Sequence, residues 1–263
     1  MNRLIPFSAG CIAALACAGA WAQNGALSTN EAARRANEAA AAARTAAAVA
    51  ADRQHPRLGG FWEPDKAVDV LVTTDGKAPP LTPAGKALYN ERTAALKSNK
   101  ANDPPAACLP PGTPRDMLSP GPFLIAQTPA KVTIFHQYRH LIRHVYLDGP
   151  LKLDDPDPWW QGHFSGYWDG DVLVIETGGF NGQQWLDRTG LPQSPDMKVV
   201  ERFKLSGQDT LEDLITIQDG KYYAESWSVR LTFKRLPENL HLVEEECAEK
   251  LLEFPLKVYA PGG

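Results

Sequence analysis

Between residues 131 and 236 the chain alternates apolar and polar positions in short runs, the period of a strand with one buried face. The runs "KVTIF", "LIRHVYL", "HFSGYW", "DVLVIET", "MKVVERFKL", "TLEDLITI" and "YYAESWSVRLTFKRL" are rich in β-branched and aromatic residues and are parted by turn signals. "LHLVEEEC", ending at Cys247, reads as a further strand. Short consecutive strands without helices between them predict a mainly β domain. The expected form is an antiparallel meander closed as a lipocalin-like barrel, with a β-sandwich as the alternative. A barrel of about eight strands leaves room for side chains or for one small ligand.

Upstream the period changes. Residues 28–53 are dominated by alanine, and Ser28 followed by Glu31 fits a capping box. The segment lacks a stripe of large apolar residues, so it reads as a solvated helical extension, 23–57, outside the domain. The domain, 58–263, opens at Gly59-Gly60-Phe61-Trp62, which resembles a lipocalin start. Thr82-Pro83 supplies an N-cap and a first-turn proline for one short helix over 83–98. Residues 102–122, "NDPPAACLPPGTPRDMLSPGP", hold too much proline for a helix or central strand and predict an ordered wrap.

The first residues combine Arg3, a short apolar run and Ala20-Trp21-Ala22, the layout of a secretory signal peptide cleaved after Ala22. A lipid anchor at Cys17 is the alternative, on a poor lipobox. The expectation is an exported protein, periplasmic or secreted. The 263-residue chain has 27 Lys+Arg against 31 Asp+Glu; Arg3 leaves with the leader and no acid does, so 26 face 31. That balance, without a basic cluster, argues against a nucleic-acid partner, and no later stretch is long and apolar enough for a membrane span. Oligomerisation stays open. Of the four cysteines, Cys108 and Cys247 survive cleavage and suggest a disulfide, the alternative being two buried thiols.

Candidate chemistry centres on 162–177, "GHFSGYWDGDVLVIET". Asp169-Gly170 between alternating runs predicts a two-residue type I′ hairpin turn. Counting outwards places Trp168 opposite Asp171, Tyr167 opposite Val172, Ser165 opposite Val174 and His163 opposite Glu176. A histidine oriented by a carboxylate is a general base, with Tyr167 or Tyr138 as a second proton donor; the plainer reading is a cross-strand pair that stabilises the sheet. Ser165, Trp168 and Tyr138 are candidates for lining a ligand cavity. The long connection 178–196 carries Phe180, Asn181 and Trp185, suited to covering a pocket mouth, or else to an Ω-type loop held by Trp185. Glu201 and Arg202 fall on opposite faces of one strand, so one points inward and needs a partner.

These segments resemble a family of exported bacterial proteins marked by a "GHxxGxWxGDxLVVxT" hairpin, an "FN…WLD…GxPxS" loop and "VxERF". The matching residues are Gly162-His163, Gly166, Trp168, Gly170-Asp171, Leu173-Val174 and Thr177. Phe180-Asn181, Trp185-Leu186-Asp187, Gly190, Pro192, Ser194, Val199 and Glu201-Arg202-Phe203 follow, with "CLPPGTPR" upstream at 108–115. The resemblance covers roughly residues 59–250 and implies no settled activity. Gln193 stands where it leads one to expect histidine, which puts chemistry through that position in doubt.

"VTIFHQYRHLIRHVYL", 132–147, spaces His136, His140 and His144 four apart. Its β-branched content predicts two strands with a turn near Tyr138–Leu141, so the spacing does not define one face. A strand would hold such neighbours about 13 Å apart, too far for shared zinc ligation, and no metal is expected. His136 and His144 remain candidate pocket walls, and Arg139 and Arg143 either bind an anion or solvate the hairpin. No nucleophile elbow, phosphate loop or dinucleotide fingerprint appears, so no cofactor is expected. Two functions are consistent with these residues. One is cofactor-free acid–base chemistry (lyase, hydratase or isomerase) on a small apolar or aromatic molecule. The other is a non-catalytic lipocalin-like binding protein for a small hydrophobic ligand.

Overall fold

The computed structural model describes residues 29–52, 55–245 and Cys247. The expected leader, the alternative anchor Cys17 and the capping residue Ser28 lie outside the described residues. Residues up to Ala47 and from Ala48 onward form separate units. Helix α1 (Thr29–Asp52) is exposed from Ala33 to Arg44 and carries Arg35–Glu31 and Arg34–Glu38 pairs one turn apart. Such exposed pairs add only about 0.3–0.5 kcal/mol each.

The second unit is a nine-stranded antiparallel barrel, nearly closed. Its strands are β1 (Gly60–Pro64), β2 (Phe123–Gln127), β3 (Lys131–His136), β4 (Ile142–Tyr146) and β5 (His163–Asp169). They continue as β6 (Val172–Gly178), β7 (Lys198–Leu205), β8 (Thr210–Gln218) and β9 (Trp227–Arg235). The order β4-β3-β2-β1-β9-β8-β7-β6-β5 is a meander in which β1 bridges to β9. One continuous sheet excludes the sandwich. The opening falls between β4 and β5, where the long 147–162 segment crosses.

β1 and β2 were not among the strand runs read from the sequence, and 240–245 form no strand. The edge of β9 that such a strand would pair with is taken by β1, with Trp62 opposite Arg235. Residues 240–245 instead run past the β3–β4 turn, where Val243 N donates to Gln137 Oε1 and Glu245 N to His140 Nε2.

Alternate side chains of every strand point inward and fill the barrel. Trp62, Phe123, Ile134, Phe203, Leu211, Ile215 and Phe233 are all buried, each contributing about 1.5–3 kcal/mol relative to exposure. The Trp62 indole donates to Leu58 O at 2.9 Å. Helix α2 (Pro83–Lys97) begins as predicted, with the Thr82 hydroxyl accepting from Gly85 N at 3.1 Å. The wrap over 102–122 is ordered by short 3-10 turns and by the Cys108–Cys247 disulfide, whose Cα atoms are 5.7 Å apart.

That disulfide closes a separation of 139 residues. Removing it with Cys108→Ser/Cys247→Ser should cost about 2–5 kcal/mol, read as a lowered denaturation midpoint with a steeper slope, because the unfolded chain is no longer cross-linked and exposes more surface.

Candidate functional site

The barrel interior is not wholly apolar. From β4 the Arg143 guanidinium grips Glu201 of β7 with two parallel hydrogen bonds, one of 2.9 Å from Nη1 to Oε1 and a shorter one from Nη2 to Oε2. Asp116 Oδ2, from the wrap, lies 3.5 Å from Arg143 Nη1. Asp213 of β8 completes the group, and Arg143, Glu201, Asp116 and Asp213 are each 0 % exposed. Among the described residues no hydrogen bond of good geometry reaches either Asp213 oxygen, Arg143 Nε or His136 Nε2.

Burial and then the Glu201 charge push Asp213 well above the usual carboxylate range. Burial also raises Asp116 and Glu201, with Arg143 opposing it in both. Burial alone would lower Arg143, but the Glu201 and Asp116 charges outweigh it and hold the guanidinium protonated. His136 packs on Phe123 at 5.3 Å, and burial followed by the Arg143 charge lowers it to about 3.

The hairpin that carried the catalytic expectation is present with a different register. Asp169 pairs with Val172, so the loop is Gly170-Asp171, and His163 faces Gly178, Ser165 faces Glu176 and Tyr167 faces Val174. Positive φ occurs at Gly170 and not at Asp171, the pattern of a type II′ turn with glycine first, whereas type I′ needs both residues positive. His163 and Glu176 therefore do not pair. His163 Nε2 donates to Asp157 O at 2.7 Å and stacks on Trp159 at 4.1 Å. Glu176 accepts from Tyr167 OH at 3.2 Å and from Leu151 N at 3.0 Å. The Ser165 hydroxyl is held by Asp148 and Gly149 O.

The face is also the opposite of that needed. On β5, Gly166 faces inward opposite Ile175, so Phe164 and Trp168 share the inner face, while His163, Ser165 and Tyr167 lie outside. That outer face is covered by the 147–162 segment, and His163 and Ser165 line a surface groove of about 410 Å³ beneath it. The larger side chains at 164 and 168 were the sequence signal for the true inner face.

The remaining expected residues separate. His136 is interior, whereas His144 points outward with Nδ1 3.2 Å from the Thr133 hydroxyl; the turn at Tyr138–His140 resets the parity. Tyr138 stacks with Arg139 at 4.9 Å beside that turn. Trp168 packs on the core and stacks on His55 at 4.6 Å. Phe180 and Trp185 are core residues, not a pocket lid. Their loop is held by Asp187, which accepts from Leu71 N, Thr189 N and Oγ1, and Gly190 N. Gln193 is buried in the same loop and donates to Gln184 Oε1 at 2.8 Å. Of the inward–outward pair, Glu201 is the inward one; Arg202 is outside and pairs with Asp169.

A second feature lies at the barrel opening. Among the described residues no ladder joins β4 and β5; one end is bridged by Gly149 N to Gly166 O, 3.2 Å, and by the Ser165 hydroxyl to Asp148 and Gly149 O. Gly166 permits the close approach, since a Cβ there would lie 2.8 Å from Val145 Cγ1. Along the opening runs a groove of about 570 Å³ lined by Ile142, His144, Tyr146, Trp159, Trp160 and Phe164, with Asn181 at its side. Ile142, Tyr146 and Trp159 are 44 %, 56 % and 55 % exposed, three of the seven large exposed apolar side chains among the described residues. Single exposed apolar residues are ordinary, whereas here three share one concavity. Phe164 forms the groove's inner wall and lies 5.0 Å from the Arg143 guanidinium, so one ring separates groove from interior cluster.

No family model matches the chain, and no curated protein does. A solved structure of a secretory abundant heat soluble (SAHS) protein from Ramazzottius varieornatus is similar at 11 % identity and a TM-score of 0.32, covering 68 % of this chain and 95 % of that one. Similarity at that level carries no argument about function. Among the described residues no helix is long and apolar enough to cross a membrane, and no group of three His, Cys, Asp or Glu is placed to hold a metal ion.

Glu201→Leu should destabilise by up to about 3–5 kcal/mol, because Arg143 loses its bidentate partner and keeps only Asp116 at 3.5 Å and the more distant Asp213, while Arg143→Met/Glu201→Leu should cost less than the single change. Denaturant titrations of the two variants check this. The interior groups also predict pH dependence of opposite signs. His136 is lowered in the fold, so its contribution is present above its unfolded pKa of about 6.5 and is lost as pH falls towards about 3. His136→Leu should therefore gain on the wild type across that fall. Asp213 is raised, so its contribution is present below about 3.9 and is lost as pH rises. Asp213→Asn should accordingly gain on the wild type with rising pH.

Proposed function

We propose that this chain is an exported, non-catalytic binding protein that takes a small apolar or aromatic molecule into the groove along β4 and β5. The observation that carries the reading is the exposed cluster of Ile142, Tyr146 and Trp159 around one concavity at the open edge of the barrel. Aromatic walls favour a flat apolar body, and His144 and Asn181 offer a few polar points for orientation. The leader pattern of residues 1–22 supports export.

Binding is favoured over acid–base turnover by the hairpin register. His163 faces Gly178 and bonds to Asp157 O, so no carboxylate orients it. The interior carboxylates are fully buried behind Phe164. A general base must reach its proton within hydrogen-bond distance, directly or through one water.

Calorimetric titration with indole and 2-naphthol tests the reading. Saturable binding is expected, with Trp159→Ala weakening it about tenfold, or about 1.4 kcal/mol, and Arg230→Gln, outside the groove lining and paired with Glu212, leaving it within error. Equal affinity of wild type and Trp159→Ala would place the site elsewhere. Consumption of either compound, lost on His163→Ala, would restore the enzymatic reading.

A further inference from the structure

Beyond Cys247 the chain continues to Gly263, and residues 248–263 lie outside the described residues. The disulfide fixes where that continuation leaves the barrel, since it holds the Cys247 Cα 5.7 Å from that of Cys108. Two residues past Cys108, Pro110 lines the β4–β5 groove. Two extended residues cover about 7 Å, so the chain leaving Cys247 starts beside one end of that groove. Leu109, between the disulfide and Pro110, is itself exposed and extends the apolar surface towards Cys247.

The sequence that follows has a pattern suited to that surface. In "LLEFPLKVY", 251–259, Leu252, Phe254, Leu256 and Val258 alternate with Glu253, Pro255, Lys257 and Tyr259. That is the period of an extended segment with one apolar face and a charged or polar one opposite. The groove repeats the period, because Ile142, His144 and Tyr146 all point outward from β4 and all line it. From Ile142 to Tyr146, and equally from Leu252 to Leu256 when extended, the span is about 13 Å. The two surfaces therefore match in apolar character, in period and in length.

We propose that residues 251–259 of the same chain occupy the β4–β5 groove, with Leu252, Phe254 and Leu256 on its aromatic wall, and that a small apolar ligand binds by displacing them. The inference rests on the reading of this groove as a binding surface and adds the regulation of that site. Tethered at the groove's edge, the segment meets it at an effective concentration of about 1 mM, the order found for a short tether. A second copy of the chain presents the same segment only at its bulk concentration, so docking within one chain prevails below that level. Glu253 and Lys257 fall on the opposite face of the segment, where both charges keep their hydration.

The test uses the full chain and its Phe254→Asp/Leu256→Asp variant, which removes the apolar face of the segment and alters no barrel strand. Calorimetry of the variant with a synthetic peptide of residues 250–259 should show saturable binding, weakened about tenfold when Trp159→Ala is added. The unaltered chain should bind the peptide about tenfold more weakly than the variant, as a competing segment at about 1 mM imposes on a peptide affinity of about 0.1 mM. Equal affinity of the two chains, or binding to neither, overturns the proposal. Sedimentation of the unaltered chain should show a monomer; a dimer that the variant abolishes means that the segment is exchanged between copies, and overturns it too. If the charged variant does not fold, Phe254→Ala/Leu256→Ala gives the same comparison with a smaller difference. Indole separates this inference from the reading beneath it. Indole should bind the variant more tightly than the unaltered chain. Equal indole binding without peptide binding overturns the docked segment alone, whereas peptide binding without indole or 2-naphthol binding keeps the segment in the groove and overturns the small-molecule reading.

Discussion

The Arg143–Glu201 pair joins two strands that the sheet keeps apart. In the hydrogen-bonded order β4 and β5 are the two ends, and no ladder closes them. Arg143 on β4 reaches across the interior to Glu201 on β7, past the opening, and the wrap adds Asp116 to the same guanidinium. A side-chain clamp thus acts where backbone hydrogen bonds do not. Against a well-packed apolar replacement such a buried pair is worth little net stability, because both charges lose their hydration. What it supplies is geometry: β4 can sit at one height and one tilt relative to β7, and others leave a charge unmatched.

The clamp also sets the protonation of the interior. Three carboxyls face one guanidinium, so electrical neutrality requires two of them to keep a proton. Glu201 has both its oxygens bonded to Arg143, which leaves Asp213, bonded to neither side chain nor backbone in good geometry, as the carboxyl most strongly driven to the neutral form. His136 is driven the same way by different means, since its neutral ring is the form compatible with Phe123 and with a nearby cation. The interior therefore tends towards one net-neutral arrangement around a single ion pair.

How much of this was legible in the sequence depends on the range of the interaction. Strand periodicity, the Thr82 cap, the turn at 138–140 and the inward–outward split of Glu201 and Arg202 are local, and each was read correctly. β2 was lost because "FLIAQ" follows directly on a proline-rich wrap, and 240–245 lost their strand to a competitor, β1, that lies far off in sequence. The candidate site failed on turn geometry and on which face of β5 points inward. Taking Asp169-Gly170 rather than Gly170-Asp171 as the loop moved each partner of β5 by two positions, which kept the face but separated His163 from Glu176. Arg143 as the partner of Glu201 could not be read at all, because nothing local to either residue specifies a contact 58 positions apart.

The opening and the groove have one cause. A barrel that ended its meander at β4 and began it again at β5 needs a long connection, and 147–162 must pass over the unpaired edges. Trp159 N donates to Gly179 O and Asn181 N to Trp159 O, both at 3.0 Å, which pins that crossing to the end of β6. The pinning sets Trp159 and Trp160 beside Ile142 and Tyr146, on an edge that cannot bury them. Closing the ladder between β4 and β5 would remove the need for the clamp and, with the crossing shortened, the aromatic groove as well. The same gap that costs the sheet its last row of hydrogen bonds leaves an apolar cluster exposed, with one phenyl ring, Phe164, between that surface and the Arg143–Glu201 ion pair.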